Sequence, residues 1–383
     1  MNSKQRVQAA LERREHDRTP LGFYTVDCDT IAAVIGRPTL LRNRAGQKLA
    51  WWEGRRDEAV ARMKADVVDF YRKLDCVDLL TLKEACQVPP RGFRDPAPPR
   101  RTGPNTYEEK DGSTWKLDPT TNSVEYFPAP GALRELPEYT AAQFADRKPP
   151  ERPDASCFEL SDHLIKHFGA DRYIAGYSGG VQAMVLLGGM EQGLMTMALQ
   201  PEVVKAAAAQ AVHRMNATDA WAIRPGTDGV LIEEDMAGTN GPMVSPAMFR
   251  ELCHPYYRER VQALKKKTPH VIMHNCGNNL PIMDMLVAGG IDAYESIQTN
   301  SAMSIKTLLD GYGDRICAWG AVALEVLNTG TPADARKAVR TSYAEAAGRP
   351  GFILGPSHSI AFGTKYDNFM AMLDEHVKLR DRR

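Results

Sequence analysis

Residues 270–298 run HVIMHNCGNNLPIMDMLVAGGIDAYESIQ. The apolar run closing at Asn275 predicts a strand, CGNN a polar turn, LPIMDMLVAGG an amphipathic helix, and IDAYESIQ a second strand. Two consecutive strands joined by a helix make a parallel βαβ unit. Side chains two apart on a strand point the same way, so His274 and Cys276 are placed to meet in one small volume. Imidazole and thiolate are a good donor pair for zinc. The spacing alone is weak evidence, because the chain holds nine His and seven Cys. Position in the fold has to carry the argument.

Outward from this unit the same rhythm repeats. Strand candidates lie at 18–24, 77–83, 173–178, 229–235, 270–275, 293–298, 316–320 and 352–358. Helical text follows nearly all of them, notably over 52–74, 246–266, 332–347 and 366–380. Eight strands alternating with helices in one chain predict an α/β fold of the (β/α)8 TIM-type barrel. An open doubly wound sheet is the competing architecture, but no Gly-rich dinucleotide fingerprint follows the first strand. The rhythm breaks once. Residues 87–104, QVPPRGFRDPAPPRRTGP, cannot continue a regular element. They lead into Tyr107–Leu117, whose Asp111-Gly112 centre predicts a β-hairpin. The stretch 87–135 is therefore read as a hairpin-bearing insertion after the second strand. It is too poor in apolar residues for a core of its own, and 1–383 is read as a single barrel domain.

Bulk composition narrows the function. The chain has 48 basic and 48 acidic residues with no long run of one sign, and 43% hydrophobic residues. This argues against a nucleic-acid groove or a polybasic membrane anchor. No stretch is apolar and long enough to predict a membrane span, and the charged N-terminus has no signal-peptide core. The odd, scattered cysteines, with no CxxC pair, predict reduced thiols and a cytoplasmic location.

In a (β/α)8 barrel the active site sits at the C-terminal ends of the strands. The residues closing the predicted strands are Tyr24 and Asp27, Lys83 and Glu84, Tyr177, Glu234 and Asp235, His274 and Cys276, Glu295 and Gln298, Trp319, and Ser357 with His358. They are far more polar than the strand bodies and would surround one mouth. Each also has a plainer explanation. His274 would serve as a core histidine bonded to backbone, Cys276 as a small buried hydrophobe, and Asp235 as a cap on the following turn. Gln298 and Asn278 would serve equally as loop hydrogen-bonders or substrate contacts.

Three stretches carry a resemblance. They are 234–246 (EDMAGTNGPMVSP), His274–Asn278 with 290–292 and Gln298, and 355–360 (GPSHSI) followed by Tyr366–Asn368. Over about 160–380, and more loosely at Arg18–Pro20, the chain resembles the uroporphyrinogen decarboxylase-like superfamily. That group includes the decarboxylase of haem synthesis and corrinoid- or coenzyme M-dependent methyltransferases. The resemblance implies the barrel fold, and it is nearer the zinc methyltransferase branch than true uroporphyrinogen decarboxylase. The decarboxylase grips its porphyrinogen through arginines just after the first strand, whereas here none lies between Arg18 and Arg37. The methyltransferases pair His-x-Cys with a later Cys near the eighth strand, where this chain has His358.

The implied activity is transfer of a methyl group between a small substrate and a corrinoid protein. The substrate would be a thiol or a methyl ether such as a methoxylated aromatic, whose cleavage would be an O-demethylation. Zinc would be held by His274, Cys276 and His358, with Asp235, Glu234, His274 and His358 as the catalytic set. Tyr24, Tyr177, Asn278, Gln298 and Trp319 would contact substrate. The chain has no Asp-x-His-x-x-Gly cobalamin signature, so the corrinoid would arrive on a partner; a homodimer is also implied. The competing activity is a cofactor-free decarboxylase or lyase acting on a small carboxylic acid. A third reading is a non-catalytic binding protein on the same fold.

Overall fold

The computed structural model describes residues 1–383 except 84, 86, 119–120, 132–136 and 382–383. Seven parallel strands form one curved sheet, numbered here on their own: β1 (Leu79–Thr81), β2 (Tyr173–Gly180), β3 (Gly229–Glu233), β4 (Val271–His274), β5 (Ala293–Glu295), β6 (Cys317–Val322) and β7 (Phe352–Pro356). They lie side by side in chain order, and every pairing is parallel.

The first predicted strand, 18–24, is not a regular strand. It contributes single bridges, Leu21 to Leu354 of β7 and Gly22 to Leu79 of β1. Pro20 has no N–H to give a ladder, yet its carbonyl accepts from Leu354 N, and Gly22 N donates to Leu354 O. These few bonds join the two edges of the sheet, so the barrel closes with an eighth, minimal member. Gly22 suits this seam, because a Cβ there would lie 3.1 Å from Leu79 Cβ and from the Trp319 ring.

Strand alternation sorts the interior. Leu79, Tyr173, Ala175, Leu231, Ile272, Ala293, Cys317, Trp319 and Ile353 form the apolar filling of the barrel. The residues between them, such as Val230, Ile232, Met273, Tyr294 and Leu354, face the outer helices in a separate and larger core. The helix Ser3–Leu11, N-capped by Asn2 in a capping box with Gln5, plugs the N-terminal end of the barrel. Its Val7, Ala10 and Leu11 join the interior cluster. Its buried Arg6 pairs with Asp78 at 2.6 Å and Asp17 at 2.7 Å.

The predicted insertion is a four-stranded antiparallel sheet (Arg100–Arg101, Thr106–Glu108, Thr114–Asp118, Ser123–Phe127) and so larger than one hairpin. The Asp111-Gly112 turn does join its second and third strands, with Gly112 at φ +84°. Among the described residues no helix is long and apolar enough to cross a membrane.

Candidate active site

The polar residues at the strand ends fall into two groups that face each other across the mouth. The first is built on β4, β5 and the segment after β7. His274 ends β4 with its side chain inward, as the parity of Ile272 dictates. Its Nδ1 bonds the Glu295 carboxylate, which projects from the paired position on β5. An ionised carboxylate only accepts, so Nδ1 carries the proton and Nε2 faces the other way. There Nε2 lies 3.3 Å from Cys276 Sγ. Ser296, at φ +80°, brings its hydroxyl to 3.4 Å from the same sulfur and 2.9 Å from Ser357 O. The residues on either side of His358 are anchored. Ser357 N donates to Val322 O, Ser357 Oγ accepts from Leu324 N, and Ser359 Oγ accepts from Thr25. One donor atom each from His274, Cys276 and His358 lies within 4.8 Å of the others.

The charges around the sulfur agree with that geometry. Burial opposes charge on the Cys276 thiol, but bonds to His274 and His358 bring it below its usual range. His358 is raised, chiefly by its bond to Cys276. Burial opposes protonation of His274, yet Glu295 and Cys276 lift it to about 10. Once zinc displaced their protons, a thiolate and two imidazoles would be a donor set of the kind that metal takes, with a carboxylate orienting one imidazole from behind. The residues present therefore fit the metal.

The second group is built on the closing segment and β1 to β3. Tyr24 and Tyr177 each donate a hydroxyl hydrogen bond to Glu233, one to each carboxylate oxygen. Lys83 is ion-paired with the same carboxylate and lies 3.2 Å from the Tyr177 hydroxyl. Burial pushes the Glu233 carboxyl up to about 7; His274 opposes this while Asp235 and Glu295 add to it. The Tyr24 ring stacks on His274, with centroids 3.7 Å apart and planes within 6°.

Other expected site residues are placed differently. Asp235 is exposed at the rim and accepts from Cys276 N at 3.1 Å. Glu234 points away from the cluster, because it follows Glu233 and takes the opposite face; its carboxylate accepts from Ala183 N and Met184 N at 3.0 and 3.1 Å. Gln298 accepts from Gly277 N at 2.8 Å, and Asn278 accepts from Leu280 N at 3.2 Å. Both hold the loop that follows β4. Trp319, expected on a substrate wall, is fully buried in the barrel filling and donates to Gly22 O at 3.2 Å. Asp27 precedes the helix Cys28–Ile35 without capping it, pairs with Arg42 at 2.9 Å and accepts from Phe362 N at 3.1 Å. Glu84 lies outside the described residues.

Glu233 is the residue that reading the strand ends passes over. Its signal is parity: Leu231 and Glu233 are related as Ile272 is to His274 and Ala293 to Glu295.

Fold and site together describe a (β/α)8 barrel with a His-Cys-His cluster at its C-terminal mouth. The family model for uroporphyrinogen decarboxylase (URO-D) matches residues 140–378, more than half of the chain, and the chain belongs to that family. No curated protein matches it by sequence. Among solved structures, a methyltransferase from Methanosarcina mazei is 15% identical, with 99% of each chain covered and a TM-score of 0.64; this likeness shows the shared fold. A GH10 endoxylanase retrieved from a sugarcane soil metagenome (TM-score 0.36, 9% identical, 58% of this chain and 83% of that one) shares too little structure to inform the site. The same holds for endo-glycoceramidase II from Rhodococcus sp. (TM-score 0.31, 11% identical, 92% and 78%).

Proposed function

We propose that this protein is a methyltransferase that moves a methyl group between a small thiol or methyl ether and a corrinoid carried by a partner protein. The observation that carries the reading is the convergence of His274, Cys276 and His358 within 4.8 Å at the mouth of the barrel. Zinc held by these three would supply Lewis acidity, lowering a thiol's pKa or stabilising the oxyanion left when a methyl ether is cleaved.

The residues around them meet the remaining needs of such a reaction. A methyl ether that loses its methyl group keeps the electron pair on oxygen and takes up a proton, whereas a thiol that accepts a methyl group gives one up. Asp235, exposed beside the loop of Cys276 and tied to it by one backbone bond, would pass that proton between solvent and substrate. Glu295 fixes the His274 tautomer. Tyr24 and Tyr177 form the wall facing the cluster, their hydroxyls occupied by Glu233.

A porphyrinogen substrate is disfavoured. Arg18, the last arginine before Arg37, lies 3.5 Å from Asp78, which precedes β1 at the opposite end of the barrel. A decarboxylase or lyase of small acids is the second reading, favoured by the family and by the placement of Asp235 and His358 on one rim.

Elemental analysis separates the two. The methyltransferase reading expects about one zinc per chain in wild type, and loss of most of it in Cys276→Ser. It also expects zinc-dependent methylation of cob(I)alamin, followed by its absorbance. Wild-type protein that takes up no metal on reconstitution, yet releases carbon dioxide from a small acid, would replace it with the lyase.

A further inference from the structure

We infer that Tyr24 and Glu233 are positioning residues that set the plane of the His274 imidazole, so that Nε2 faces Cys276 and His358. The inference rests on the reading above in taking these three as a ligand set, and adds to it what aims the set. Glu295 holds His274 through Nδ1 alone. Cys276 Sγ lies 3.3 Å from Nε2, and these two edge contacts leave the ring able to tilt about the line that joins them. The third constraint is the Tyr24 ring, parallel to the imidazole within 6° at a centroid distance of 3.7 Å. A rotation of the imidazole out of this plane would drive its edge into the tyrosine face.

Tyr24 itself has to be anchored for this to work, because it reaches His274 from across the barrel. It sits on the closing segment, four places around the ring from β4. Its anchor is Glu233, which accepts its hydroxyl and is pinned in turn by Tyr177 and Lys83. Lys83 Nζ also lies over both tyrosine rings, 5.3 Å from the Tyr24 centroid and 4.6 Å from that of Tyr177. The Tyr24 carbonyl accepts from Thr81 Oγ1 at 2.8 Å, which fixes its backbone. Glu233 is the ladder neighbour of His274. Both ends of the stack therefore belong to one rigid frame. With Tyr24 only 4% exposed, the contact is dry.

Two measurements test this on the full chain. In metal-free protein labelled with 15N-histidine, the wild-type His274 ring should give one set of signals with Nδ1 protonated. Tyr24→Leu, which removes the ring, should broaden or split them. Zinc affinity, measured by competition with a chromophoric chelator, should fall about 10- to 100-fold in Tyr24→Leu, the usual scale for groups that orient a ligand from behind. Tyr24→Phe removes the tether and Glu233→Gln weakens it, both at constant volume, so a few-fold loss is expected. They also carry the test if Tyr24→Leu fails to fold.

Folded Tyr24→Leu with unchanged histidine signals and zinc affinity within twofold of wild type would overturn the inference. Wild type that binds no zinc, but whose His274 signals respond to Tyr24→Leu, would overturn the methyltransferase reading and leave the positioning role standing.

Discussion

Glu233 and Glu234 are adjacent and chemically identical, and the pleat gives them different work. Glu233 enters the mouth, while Glu234 turns outward to accept two backbone N–H groups of the loop after β2. Burial pushes the Glu234 carboxyl up to about 7, although those two donors pull it down. The sign of the consequence follows from linkage. A carboxyl whose folded-state pKa lies above its unfolded value of 4.5 binds more protons when folded. Its contribution is complete below about pH 4.5 and is lost as pH rises toward 7. The shift corresponds to roughly 3 kcal/mol at its upper limit. Glu234→Gln should therefore flatten the fall in stability between about pH 5 and 7.5, measured by urea unfolding at each pH. If the variant and wild type lose stability equally over that range, the carboxyl does not titrate there.

Among the elements, the turn after β4 shows how local signals and packing divide the task. The sequence announces a strand, a polar turn and a helix there, and each is present, with the helical stretch split into Leu280–Ile282 and Met283–Ala288. What periodicity could not show is why the turn holds Cys276 still. Gly277 has φ +81°, and a Cβ on it would stand 2.5 Å from Ala237 O and 2.7 Å from Gly238 O. The turn is thus pressed against the two-stranded ribbon 237–242, while Gln298 binds its backbone from the other side. Gly277→Ala combines a left-handed backbone with a clash against carbonyl oxygen, and should cost about 2 kcal/mol or more. It should also lower zinc retention more than its loss of melting temperature accounts for. Retention that simply tracks the folded fraction would show that the turn does not aim Cys276.

Closure of the barrel as a whole depends on close backbone approach at the seam. Gly355 of β7 would place a Cβ 2.7 Å from Gly22 O and from Trp319 Nε1. Gly355→Ala must therefore open the join or displace the buried indole, and should destabilise by about 1–3 kcal/mol. Gly311, inside the helix Ile305–Tyr312, is different: a Cβ added there would meet nothing within 4 Å. Gly311→Ala should stabilise by about 0.5–1 kcal/mol through helix propensity. Denaturant titrations of the two variants should move in opposite directions from wild type; a Gly355→Ala variant as stable as wild type would mean that the seam is loose.

Read along the chain, the residues already specify the alternation of strands and helices, hence the barrel, and the end of the barrel at which the polar residues gather. Both are periodic properties of a linear text: two residues per strand repeat, 3.6 per helical turn, polar residues where strands stop. His274 and Cys276 share a face for the same reason, since they lie two apart. Folding in three dimensions was needed to bring His358 to them and to carry Tyr24 to His274 from the opposite wall. It also reduced the first strand to two bridges, sent Trp319 into the filling and turned Glu234 outward. Those outcomes depend on the radius of the closed ring and on the parity at which each strand enters it, and these are set by contacts between residues far apart in the chain.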